Sequence, residues 1–175
     1  MSGLSNEKVK ETKEKVLGWL KEEVLSPEEI SDPHAFFNFG ISVGGLRFHV
    51  VQNVRSVDSI FVGGNLVLPE EQSQLLREKM DEKKRQEFFS DLRLALLTNS
   101  EIGDFQIKPS PPDDIREVFV ASKRVFYDAL TKDRLVSAIH AVHKAVIMAV
   151  WMLESHSGIA TSKTKKSNER GQYSV

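Results

Sequence analysis

The chain has 175 residues, with 24 lysines and arginines against 25 aspartates and glutamates, and no cysteine. A net charge of −1 supplies no bulk field toward nucleic acid, and the absence of cysteine excludes disulfides, a thiol nucleophile and thiolate zinc ligands. A chain of this length fits one domain that buries roughly 70% of its unfolded surface, so its core needs no metal or disulfide staple.

The N-terminal segment MSGLSNEKVKETKEK is polar, without the apolar stretch of a signal peptide. The longest unbroken apolar run, Ala145 to Leu153, has nine residues, against the ~20 that a membrane helix needs. The expectation is a cytoplasmic protein with no membrane partner.

Residues 5–25 carry Val9, Val16, Leu17, Leu20 and Val24 at helical spacing, which predicts an amphipathic helix capped by Ser5. Ser26-Pro27-Glu28-Glu29 has the pattern of a capping box and predicts one further helical turn, stopped by Asp32-Pro33. From Ala35 the period becomes two. Phe37, Phe39, Ile41 and Val43 alternate with small or polar residues, Gly44-Gly45 intervenes, and Leu46, Phe48 and Val50 resume the alternation. This predicts a hairpin, because a two-residue mirror-image turn requires positive φ at both positions. A third strand is expected over Ser59 to Leu68, with Gly63-Gly64 as a bulge or second turn. A phosphate-binding loop there lacks the flanking Lys-Ser/Thr.

Pro69 and Glu70-Glu71 open a long helix expected to reach Thr98, with Leu76, Met80, Phe88, Leu92 and either Ala95 or Leu96 on its apolar side. The mixed charges from Arg77 to Glu87 fit a solvated face, not a nucleic-acid patch. A short strand follows at Asp104 to Lys108, then a turn at Ser110 to Asp114 and a longer strand from Ile115 to Phe126. Thr131 caps a last helix over Lys132 to Ser155, with Leu135, Ile139, Val142, Val146, Ala149, Val150 and Leu153 on its main stripe. Val136, His140, His143, Ile147 and Trp151 form a second one, and a helix apolar on so many sides is buried on several of them. Residues 158–175 are polar and basic and are expected to be a disordered tail, leaving 1–157 as a single domain.

Candidate chemistry is sparse. His140 and His143 stand three residues apart and share a helix face. The alternatives are a metal pair or histidines hydrogen-bonded in a core or interface. The pattern lacks the glutamate and i+4 spacing of zinc peptidase helices, so no metal and no cofactor is expected. His49, beside Arg47, has no G-x-S-x-G nucleophile motif to join, and Asp113-Asp114 fits turn hydrogen bonding. No nucleophile, base and oxyanion donors come together.

The order α-β-β-β-α-β-β-α, carried by FFNFGISVGGLRFHVV, LVLPEEQSQLL and DALTKDRLVSAIHAVHKAVIMAVWML, resembles an uncharacterised archaeal family and the fold of type III secretion chaperones. The resemblance implies a homodimer that holds an extended partner segment on apolar patches without ATP. Secretion chaperones are usually strongly acidic, which this chain is not. The combined expectation is an α+β fold, with one antiparallel sheet of about five strands and helices mainly on one face. Its function would be a non-enzymatic, dimeric protein- or peptide-binding module. The alternative is a small enzyme or ligand-binding protein. The candidate self- or partner-interface comprises His140, His143, Ile147 and Trp151 on the last helix, or Phe88 and Phe89 on the central one.

Overall fold

The computed structural model describes residues 3–56, 58–108 and 116–159. Helix α1 (Gly3–Glu22) buries Val9, Val16 and Leu20. It begins ahead of Ser5, the expected cap. Its end is set by Leu25 N–H donating to the Leu20 carbonyl (3.1 Å) and Val24 N–H to that of Lys21 (3.0 Å), the paired bonds of a Schellman motif. Val24 therefore lies beyond the helix, at φ 57° and 84% exposed, and not on the apolar stripe.

The second correction concerns residues 26–29. Glu28–Glu29 forms a strand, β1, not a helical turn, pairing Glu28 with Gly40 and Glu29 with Phe39 of β2 (Ala35–Val43). Ion pairs reward the extended form: Arg47 reaches Glu28 (2.7 Å) and Lys13 reaches Glu29 (2.5 Å). Strand β2 turns through Gly44 (φ 57°) and Gly45 (φ 75°) into β3 (Leu46–Asn53), as the Gly-Gly pair predicts. Next comes β4 (Ser59–Val67), which passes straight through Gly63-Gly64 in register with β3 and with neither bulge nor turn. These glycines serve packing instead. A Cβ on Gly64 would stand 2.6 Å from the Phe48 ring, and one on Gly63 would stand 3.1 Å from the Phe119 ring.

The expected long helix is two, α2 (Glu70–Lys79) and α3 (Glu82–Thr98). Met80 is extended and buried, and Asp81 caps α3 by accepting from the Lys84 N–H at 2.9 Å. A side-chain cap plus burial of Met80 offsets the loss of helical continuity. Strand β5 (Ile102–Lys108) follows. The expected strand ending at Phe126 is broken into β6 (Glu117–Ser122) and β7 (Val125–Phe126), the latter pairing with Ser59 and Ile60 of β4. Helix α4 (Lys132–Ser157) begins at Thr131, whose hydroxyl accepts from the Arg134 N–H, and ends at Gly158 in the left-handed region.

The sheet is antiparallel, in the order β1-β2-β3-β4-β6-β5. Cross-strand register places Phe39, Ile41, Phe48, Val50, Val62, Val118 and Val120 on one face, all buried. Helix α4 packs across β4, β6 and β3 on that face, with α1 beside it over β2 and α3 beside it over β5. By length and composition alone α4 could cross a membrane. Here Leu135, Ile139, Val142, Val146, Ala149 and Leu153 are buried. The opposite face carries His49, Phe61, Asn65, Phe119 and Gln106, and no helix packs on it among the described residues.

Candidate functional site

The two edges of the sheet differ. Strand β1 is two residues long and presents two glutamates, which is a short, charged edge of the kind that resists further pairing. Strand β5 is seven residues long and, among the described residues, pairs only with β6. The Phe105 N–H donates to Oδ1 of the preceding Asp104 (2.8 Å), so it is not spent on the β6 ladder. Amides alternate in direction along an antiparallel strand, which turns the Ile107 N–H toward the same open edge.

Helix α3, which packs beside β5, carries two exposed leucines, Leu94 (62% exposed) and Leu97 (73% exposed). Arg93 and Leu97 are one turn apart and so share a face. On the α3 side of β5 lies a cleft of about 520 Å³ lined by Arg93, Phe105, Gln106, Ile107 and Lys108. A second cleft, of about 500 Å³, opens at the other end of the strand, where Phe61, Phe119, Gly103, Asp104, Lys123 and Arg124 contribute to its lining. The Ser122 hydroxyl accepts from the Val62 N–H (3.0 Å) and donates to the Lys123 carbonyl (2.8 Å). That pins the end of β6 where Lys123 and Arg124 leave the sheet.

The histidines and aromatics singled out from the sequence are not gathered in one place. His140 is exposed. His143 is half-buried, edge-on to Phe48 (centroids 5.7 Å apart, 86°) and close to the Gly44 turn. Burial holds its imidazole below the ordinary range, and the nearby His140 adds to that. Ile147 is half-buried, whereas Trp151 is 67% exposed. Phe88 and Phe89 are core residues, edge-to-face with each other at 5.4 Å. They offer no surface for an interface, because the apolar side of α3 is turned onto the sheet and α4. His156 fastens those two helices, with Nε2 3.1 Å from Asp91 and its ring against Phe88.

His49 sits on the open face with Nδ1 3.0 Å from the Asn38 Oδ1. Burial lowers its pKa, as does Arg47, while Asp32 opposes them. Neither His49 nor His140 lines either cleft. Among the described residues no group of three His, Asp or Glu is arranged to hold a metal ion. Asp113 and Asp114 lie outside the described residues, as do residues 160–175 of the expected tail.

The family described as uncharacterized conserved protein (DUF2299) matches over residues 12–153. The chain belongs to that family. A crystal structure of an uncharacterized protein from Methanothermobacter thermautotrophicus superimposes with a TM-score of 0.73 at 26% identity, covering 83% of this chain and 98% of the archaeal one. No curated protein matches the sequence. The matched family segment spans α1 to α4 and includes β5 and its flanking helix.

The β5 edge went unnoticed from sequence because strand order is not a local property. One signal was present. Leu94, Leu96 and Leu97 exceed what a single helix stripe can bury, and the surplus leucines, Leu94 and Leu97, are exposed on the helix that flanks β5.

Proposed function

We propose that this protein is a non-enzymatic peptide-binding module, chaperone-like in action, that receives an extended segment of a partner protein along β5. The observation that carries this reading is a seven-residue strand edge, unpaired among the described residues, beside a helix that carries exposed Leu97 on the same face as Arg93. An added strand gains main-chain hydrogen bonds at such an edge, while alternate side chains find the clefts on either side. The resemblance to type III secretion chaperones, which hold extended partners without ATP, leans the same way, and a cytoplasmic location suits it.

The test is titration of a short peptide alternating valine with a polar residue into nitrogen-labelled protein. The reading expects amide shifts centred on Phe105 and Ile107. Shifts centred elsewhere, or none, sink it. A second reading, self-association into a homodimer through α4, is favoured by Trp151, a large hydrophobic side chain exposed on that helix.

A further inference from the structure

We infer that the segment held on β5 is acidic as well as extended, an inference that rests on the peptide-binding reading. The argument comes from charges along the edge. The two clefts flanking β5 draw Arg93 and Lys108 from one end and Lys123 and Arg124 from the other. Lys108 is neutralised by Glu117 at 3.3 Å. Arg93, Lys123 and Arg124 form no ion pair among the described residues. The one acid lining either cleft is Asp104, whose carboxylate already accepts the Phe105 N–H.

This is a local cationic excess in a chain whose net charge is −1, set beside Phe61, Phe119, Phe105 and Ile107. Asp104 and Glu101 partly offset Lys123 and Arg124, whereas no acid lines the cleft of Arg93, so a basic segment is repelled and an acidic one pairs with these cations. Charge of this kind selects partners and speeds encounter more than it adds affinity. It acts through solvent, so salt screens it.

Neighbouring side chains of an added strand project to opposite faces of the sheet. On the helix-covered face they would meet Phe105, Ile107 and Arg93, and on the open face Phe61, Phe119, Lys123 and Arg124, so each face offers an apolar lining with a cation beside it. Asp104 opposes the same partner twice, by its charge and by occupying the Phe105 amide. Removing it should therefore strengthen binding.

The experiment uses three labelled peptides of equal length, alternating valine with glutamate, serine or lysine, and anisotropy on the full chain. The glutamate peptide is expected to bind about tenfold more tightly than the serine one, a difference of about 1.4 kcal/mol, and the lysine peptide most weakly. Raising salt should compress the series. Arg93→Glu combined with Arg124→Glu, both at exposed positions, should abolish or reverse the order, and Asp104→Ala should tighten the glutamate peptide. Equal binding of all three peptides, lost on Leu97→Glu, overturns the acidic inference and leaves the edge reading standing. No binding of any peptide, or binding indifferent to both Leu97→Glu and Ile107→Pro in protein that melts normally, overturns both. A dimer lost on Leu97→Glu without peptide binding gives the edge to a second copy and likewise overturns them.

Discussion

Replacing Gly64 with alanine adds a single methyl group at the most crowded glycine of the sheet. The new Cβ would stand 2.6 and 2.7 Å from two carbons of the Phe48 ring and 3.1 Å from a Val142 methyl. Phe48 cannot swing away at low cost. It is fully buried and its ring is engaged edge-on by His143, while Val142 belongs to the helix that spans the sheet. Overpacking of a close-packed core costs about 1–3 kcal/mol. For a chain of this size each kcal/mol moves the melting temperature by roughly 2–4 °C, so a fall of about 2–12 °C is expected. Gly18→Ala is the matched control, because a Cβ there, in the C-terminal half of α1, meets nothing within 4 Å. It should stabilise by roughly 0.5–1 kcal/mol through lost backbone freedom in the unfolded chain. Thermal and urea unfolding by circular dichroism on both variants gives the answer. An unchanged or raised midpoint for Gly64→Ala would refute the assignment of Gly64 as the gap that admits Phe48.

Three more expectations can be checked on the same protein. Val24→Gly should raise stability by about 1 kcal/mol, since a β-branched residue at φ 57° carries a strain that glycine does not; a lower urea midpoint would contradict this. His49 and His143 both titrate below the ordinary value in the folded chain, so the unfolded chain takes up protons first. Their contribution is then complete above the unfolded value of about 6.5 and is lost as pH falls through the window beneath it. A urea midpoint that is flat from neutral pH into that window in the wild type, or unaltered there by His49→Gln with His143→Gln, would show that neither group matters. Trp151→Glu should leave the circular dichroism spectrum intact because the ring is exposed. If α4 forms the dimer contact, the wild type sediments as a dimer and this variant as a monomer; a monomeric wild type ends that second reading.

The α+β class and the Gly44-Gly45 hairpin were legible because each rests on local patterning: alternating residues either side of a turn that needs positive φ, and apolar stripes at helical spacing. What the sequence concealed depends on partners distant in the chain. Glu28 and Glu29 look like a helical first turn until Arg47 and Lys13 are brought opposite them. Met80 fits the stripe of an uninterrupted helix, yet Asp81 caps a new one immediately after it. Gly63-Gly64 resembles a turn only while the rings that fill its space, Phe48 and Phe119, are out of view. The aromatic pair Phe88 and Phe89 looked like spare surface for the same reason, since the helix that covers them lies far along the chain.

The candidate site was hidden by strand order above all. After α3 the chain lays down β5 outermost and then returns to insert β6 between β5 and β4. Their compositions agree with those places in hindsight. Strand β6, EVFVAS, is covered by neighbours on both sides, whereas β5, IGDFQIK, alternates half-buried Phe105 and Ile107 with exposed Asp104, Gln106 and Lys108. An alternation of that kind suits a strand wetted on one face. The protection of the β5 edge is also uneven. Its first half is guarded by an irregular register between Ile102 and Asp104 and by the Asp104 carboxylate on the Phe105 amide, two devices that discourage pairing. No such device covers the Ile107 amide among the described residues, and the cleft beside it is lined by Arg93. A docking segment should therefore pair first at Ile107 and displace the Asp104 carboxylate only afterwards, which makes the Ile107 amide the earlier of the two to be protected from hydrogen exchange.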